Sequence, residues 1–184
     1  MVKKRFPTAA LALIPLLAQA AELPRKAPEY TIERNGAAPL TLSQYKGKPV
    51  VLAFILTYCS HCQRTVGFLS KDQNEYGPRG LQVVGCAIEN GAQLAVPEFL
   101  KNFNPPFPVG YNEGTTALGF MQHPVVKVPI MPMLAFIDRE GMIRAQFEGD
   151  DEKFFGDQHE QNLKTQIEAL LKVGAAKKAA AGKR

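Results

Sequence analysis

Seven consecutive apolar residues, Val50 to Leu56, run directly into Thr57-Tyr58-Cys59-Ser60-His61-Cys62. The run is too short for a typical helix and is rich in β-branched side chains. Such a strand has no polar face and must be covered on both sides, which places it in the middle of an α/β sheet. The polar stretch after Cys62 reads as a helix to about Tyr76, stopped by Gly77-Pro78. The fold is thus expected to deliver two cysteines to a strand-to-helix junction.

The rest of the chain supports that architecture. "EYTIER" is a short strand candidate, with Asn35-Gly36 marking the turn after it, and "TLSQYKGK" is a turn-and-helix segment ending at Gly47. "LQVVGCAIE" is a second buried strand, and "AVPEFLKNF" a helix whose first turn tolerates Pro97. "FPVGY" is a short strand, and "EGTTALGFM" a short helix. "MLAFIDREGMIRAQFEG" has the pattern of a hairpin around Asp138-Arg139-Glu140-Gly141. Leu163, Ile167, Leu170 and Leu171 place one apolar stripe on a final helix. Strands alternating with helices, then a hairpin and a helix, predict an α/β sandwich. With no repeat or interior linker, residues 21–173 are read as one domain.

Residues 1–20 read as a signal peptide. Lys3, Lys4 and Arg5 precede "TAALALIPLLAQA", and Ala18 and Ala20 form the small-residue pattern that places cleavage after Ala20. A bilayer span needs about 20 uninterrupted apolar residues, whereas this run is shorter and contains Pro15. The chain is therefore expected to be exported, to the periplasm or another extracytoplasmic space. The net charge of +5 belongs to the ends. Three of the 22 Lys and Arg lie in the leader and four in the tail 174–184, leaving 15 bases against 17 acids between them. A core of net charge −2 has no phosphate-binding surface, so nucleic acid is not expected as a partner. The tail, small and polar with four bases, is expected to be disordered.

The close cysteine pair could hold a metal, close a structural disulfide, or exchange electrons with other thiols. Structural zinc normally takes four ligands. Beyond the pair the chain has only Cys86, on a buried strand, and the scattered His61, His123 and His159. A static disulfide closing so short a loop constrains the unfolded chain little. Redox exchange needs what a helix start supplies, namely unpaired N–H groups and the positive end of the macrodipole beside Cys59. Both favour the thiolate, the attacking species. A spacing of three brings Cys62 to the same side of the helix, deeper and suited to resolve rather than attack. A protonated His61 would stabilise the Cys59 thiolate further and move the pair toward oxidant behaviour.

These residues give the chain a family resemblance. "LTLSQYKGKPVVLAFILTYCSHC", "LQVVGCAIE" and "VPIMPMLAFIDREGMI" resemble the thioredoxin superfamily, most closely its extracytoplasmic TlpA/ResA-like branch within the redoxin group. The resemblance implies a thioredoxin-like sandwich, with a central mixed sheet flanked by helices. "FPVGYNEGTTALGFMQHP" is similar to the strand-helix insert of that branch. Pro132, followed by Ile137, Asp138 and Gly141, matches the cis-proline motif, so Met131 and Pro132 are expected to face the cysteines and hold substrate. Tyr58 replaces the usual Trp, and Ala53 replaces the buried acid of thioredoxins. Glu89 matches the place of an acid that can sit beneath the pair in this branch, and a partly buried carboxylate there could take the proton from Cys62 as it resolves. Cys86 is expected to be an inert core residue.

The resemblance implies a thiol–disulfide oxidoreductase acting on protein thiols or disulfides through a Cys59–Cys62 disulfide, without organic cofactor or metal. A membrane electron donor is a further expected partner, and a monomer the expected state. Two rival readings share the scaffold. A peroxiredoxin-like peroxidase would need Thr and Pro where Leu56 and Leu52 stand. A copper-binding assembly protein would use a cysteine spacing one residue longer, although Cys59, Cys62 and a His could still hold Cu(I).

Overall fold

The central apolar run forms a strand with every residue buried, Val50–Ile55. The computed structural model describes residues 22–173. The leader and basic tail read from the sequence, 1–20 and 174–184, lie outside the described residues. In chain order the elements are β1 (Arg25–Lys26), β2 (Thr31–Arg34), β3 (Ala37–Thr41), β4 (Val50–Ile55), α1 (Ser60–Tyr76), β5 (Gln82–Ala87) and α2 (Ala92–Phe103). They continue with β6 (Val109–Tyr111), α3 (Gly114–Met121), β7 (Met133–Ile137), β8 (Met142–Phe147), α4 (Glu152–Phe155) and α5 (His159–Lys172).

The strands form one mixed sheet in the order β1-β8-β7-β4-β5-β6-β2-β3. β4 lies in its middle because both of its edges are taken. Val50–Ile55 pair in parallel with Gln82–Ala87, while Val50–Phe54 pair antiparallel with Ile137–Met133. Side chains alternate between the two faces of a strand. Val51, Ala53 and Ile55 join a buried cluster with Val66 and Leu69 of α1, Val96 and Phe99 of α2, and Leu163 and Ile167 of α5. Val50, Leu52 and Phe54 join the opposite cluster with Tyr30 and with Ala117, Phe120 and Met121 of α3. Rings of Tyr30, Phe54 and Phe120 meet edge-to-face at 5.3 to 5.7 Å on that side. This is the α/β sandwich expected, with the β6–α3 insert in place.

The start of α2 corrects the sequence reading. The helix begins at Ala92, so Pro97 lies in its interior rather than its first turn. An interior proline lacks the N–H that would serve the carbonyl four residues back, here that of Gln93. Asn35 Nδ2, from the β2–β3 turn, donates to Gln93 O at 2.8 Å and satisfies it. β1, β3 and α4 were not anticipated. β3 contains Pro39 and forms one end of the sheet, where a missing donor is harmless.

Gly110 is the tightest point of the sheet. A Cβ there would lie 2.1 Å from Glu33 O and 2.7 Å from Ile32 Cγ2. Gly110→Ala is expected to push β2 off β6 and to cost about 2–3 kcal/mol in urea unfolding, in the range of overpacked cores. Gly119→Ala in α3, whose Cβ meets nothing within 4 Å, should be neutral or stabilising.

Candidate active site

β4 ends at Ile55, and Leu56-Thr57-Tyr58 carry the chain to Cys59, the N-cap of α1, with φ −80° and ψ 119°. Cys59 N donates to Leu56 O at 3.1 Å and Gln63 N donates to Cys59 O at 2.9 Å, which fixes the turn. No side chain caps α1 and no acid lies in its first turn. The positive end of the helix is therefore left unneutralised at the sulfur.

The two cysteines differ sharply. Cys59 is half-buried, whereas Cys62 is wholly excluded from solvent. Burial pushes the Cys62 thiol far above the ordinary range. Leu56 N, donating to Cys62 Sγ at 3.4 Å, works against that shift, and Cys59 and Glu89 reinforce it. One sulfur is reachable and the other is kept protonated. Both are free thiols, as is Cys86.

Glu89, just past β5, reaches across to the end of β4. Its Oε1 accepts from Thr57 N at 3.0 Å and also from the Thr57 hydroxyl. Its Oε2 is buried and has no hydrogen-bond partner among the described residues. Gln63 Nε2 of α1 donates to Thr57 O at 2.8 Å. The Glu89 charge is close enough to both Cys62 and Cys86 to disfavour their thiolates. Thr57 and Gln63 were missed by the sequence reading, because nothing local links Thr57 to an acid 32 positions away.

The Met131–Pro132 bond is cis, as expected from the motif. Phe54 pairs with Met133, so Pro132 lies at the end of β4 that carries the cysteines. Pro132 is buried and Met131 half-buried, the latter packed against the cluster that contains Cys62. Gly149 N donates to Ile130 O at 2.8 Å, and a Cβ on Gly149 would come within 2.5 Å of Met131 O. Thus the turn after β8 braces this loop from behind. Tyr58 is 72 % exposed and His61 also faces solvent, so both stand at the rim.

The other candidates do not join the site. Cys86 is buried on β5, 3.7 Å from the Tyr30 hydroxyl, its thiol pushed up to about 12 by burial. His123 is clasped between Glu148 Oε1 at 3.0 Å and Lys127 O at 2.9 Å. His159 packs among Phe68, Phe154 and Phe155, and burial lowers it to about 4. Among the described residues no group of three or more His, Cys, Asp or Glu side chains could hold a metal ion. Among the same residues no helix is long and apolar enough to cross a membrane.

Comparison with known proteins bears on the family and the fold. The Redoxin family model matches residues 23–167. The thiol-disulfide oxidoreductase ResA of Bacillus cereus (strain ZK / E33L) is 23 % identical over 149 residues, covering 81 % of this chain and 79 % of that protein. A Chlorobium tepidum protein assigned as thiol:disulfide interchange protein DsbE shares the fold with a TM-score of 0.68 at 23 % identity, covering 80 % of this chain and 96 % of its own. A secreted Mycobacterium tuberculosis disulfide oxidoreductase superposes with a TM-score of 0.60 at 20 % identity, covering 77 % of this chain and 96 % of its own.

Proposed function

The chain belongs to the Redoxin family and is a thiol–disulfide oxidoreductase, and from that premise we propose that Cys59 and Cys62 exchange disulfides with exported protein partners. The observation that carries this reading is the asymmetry of the pair, with one half-buried sulfur at the N-cap position of a helix and one buried, protonated sulfur behind it. The Cys59 thiolate attacks one sulfur of a partner disulfide, and the other partner sulfur leaves as a thiolate. Cys62 gives its proton to Glu89 and attacks Cys59. The Cys59–Cys62 disulfide forms and the partner's second sulfur is released, so two electrons pass to the partner. The reverse sequence oxidises a partner dithiol. Met131 and Pro132 hold the partner's extended segment, and Tyr58 borders the groove. The chain acts as a monomer and draws electrons from a membrane donor when it reduces. The leader reading of residues 1–20 supports placement outside the cytoplasm.

Equilibration with glutathione, followed by acid quenching and alkylation, tests the assignment. One two-electron couple confined to Cys59 and Cys62 is expected; a couple that includes Cys86 refutes it. His61→Gln in the same titration should lower the potential by no more than about 30 mV, the equivalent of ten-fold in the equilibrium constant. The shift is small because an exposed charge is screened. An unchanged potential shows that the imidazole is a bystander.

A further inference from the structure

We propose that Thr57 is a positioning residue that aims Glu89 at Cys62, an inference that rests on the reading of Glu89 as the base for Cys62. Successive peptide N–H groups at the end of β4 serve the two partners of the proton transfer. Leu56 N–H points to Cys62 Sγ at 3.4 Å and Thr57 N–H to Glu89 Oε1 at 3.0 Å. The thiol and the acid are therefore held by neighbouring atoms of one rigid segment.

The Thr57 hydroxyl sends a second donor to the same oxygen, Oε1. Two donors on Oε1 hold the carboxylate in one orientation and leave Oε2 without a partner, in a buried position. A buried acceptor left unsatisfied is costly, and in native proteins it calls for a specific reason. Here the reason is a proton. Thr57 is itself held from α1, because Gln63, the residue after Cys62, donates from Nε2 to Thr57 O at 2.8 Å. Acid, strand end and cysteine helix are tied into one ring.

In the resolving step the Cys62 S–H bond breaks and the proton passes to Glu89 Oε2. The sulfur electron pair forms the bond to Cys59 Sγ, and the Cys59–partner S–S bond breaks with the partner leaving as thiolate. No further oxidant or reductant is required. Removing the Thr57 hydroxyl takes a donor from the charged carboxylate, and hydrogen bonds to charged groups are the stronger kind. Glu89 then holds its own proton more readily and turns more freely, so the base is lost first in acid.

The test is stopped-flow mixing of the reduced protein with dithiobis-nitrobenzoate, an aromatic disulfide whose released thiolate is coloured. Release is biphasic: attack by Cys59 frees the first thiolate and resolution by Cys62 frees the second. Thr57→Val should slow the second phase about ten-fold in mildly acidic buffer, move its acid limb to higher pH, and affect the first phase far less. Thr57→Ser, which keeps the hydroxyl, should restore the profile. Glu89→Gln separates the two ideas, because it should slow the second phase across the range and abolish its acid limb. If Glu89→Gln does this while Thr57→Val leaves the limb in place, the positioning role is wrong and the base stands. If Glu89→Gln resolves as fast as the unaltered protein, the base reading falls and the role of Thr57 falls with it.

Discussion

Cys62→Ser is expected to accumulate mixed disulfides with partner proteins, all through Cys59, while Cys59→Ser forms almost none. Only Cys59 combines access with a place at an uncapped, acid-free helix start. Cys62 has no exposed surface, and burial keeps it protonated. Serine at position 62 preserves the size of the side chain and removes the sulfur that breaks the intermediate, so exchange halts after the first step. Removing the attacking sulfur should lower exchange with a protein disulfide by at least roughly a thousand-fold, the order seen when a covalent nucleophile is deleted. Affinity capture of the Cys62→Ser protein, followed by reduction and mass spectrometry, reads the result. Equal trapping by both variants, or faster alkylation of Cys62 than Cys59, overturns the order of attack.

The second large effect concerns stability. Asp72 of α1 is completely buried, and neither carboxylate oxygen has a hydrogen-bond partner among the described residues. Burial raises it from its ordinary 3.8 to about 7; Glu75 and Glu160 add to the shift, and Lys164 and Lys71 oppose it. A carboxyl with a raised folded-state value stabilises fully below its unfolded value, and that stability is lost as pH rises through about 7. The contribution amounts to about 4 kcal/mol at most, at about 1.4 kcal/mol per unit. His159 acts in the opposite sense. Lowered by burial from 6.5 to about 4, it stabilises above its unfolded value and loses that stability as pH falls through about 4. Between these limits the two partly cancel, so the profile of the whole protein looks flatter than either group alone. Subtracting the urea-unfolding profile of the unaltered protein from that of Asp72→Asn removes the His159 part. The difference should rise with pH and favour Asn by about 2–4 kcal/mol in mildly alkaline buffer. A pH-independent difference would show that folding leaves the Asp72 carboxyl unshifted.

Much of this molecule is legible in its sequence because short-range patterns dictate it. The run Val50–Leu56 has no polar face, and β4 is indeed paired on both edges. The cysteines follow from it, since a buried strand that gives way to a polar stretch must turn into a helix on one face. The motif from Pro132 to Gly141 likewise locates the cis bond and the β7–β8 hairpin. What escaped depends on contacts between distant segments. The Thr57–Glu89 bonds arise only because β4 and β5 are parallel and end together. Pro97 looked like a first-turn residue because the donor that frees it for the helix interior, Asn35, belongs to a hairpin turn. Asp72 could have been noticed. Cys62, Thr65, Val66, Leu69, Asp72 and Tyr76 make one stripe at helical spacing, and the acid stands in it. Its polar neighbours in sequence, Lys71 and Gln73, mask that stripe.

Cys86 gives the folded chain its own unfolding gauge. Its backbone belongs to the paired β4–β5 ladder, and its side chain, with no exposed surface, lies in the cluster with Tyr30 and Phe120. With the thiol pushed up to about 12, it reacts only in molecules whose core has opened on that face of the sheet. Its alkylation rate therefore counts global openings, in the manner of a slow hydrogen-exchange probe. Cys59, in the same sample and under the same reagent, reports the state of the start of α1. A variant that loses exchange while Cys86 stays protected has lost chemistry, and one that loses both has lost its fold.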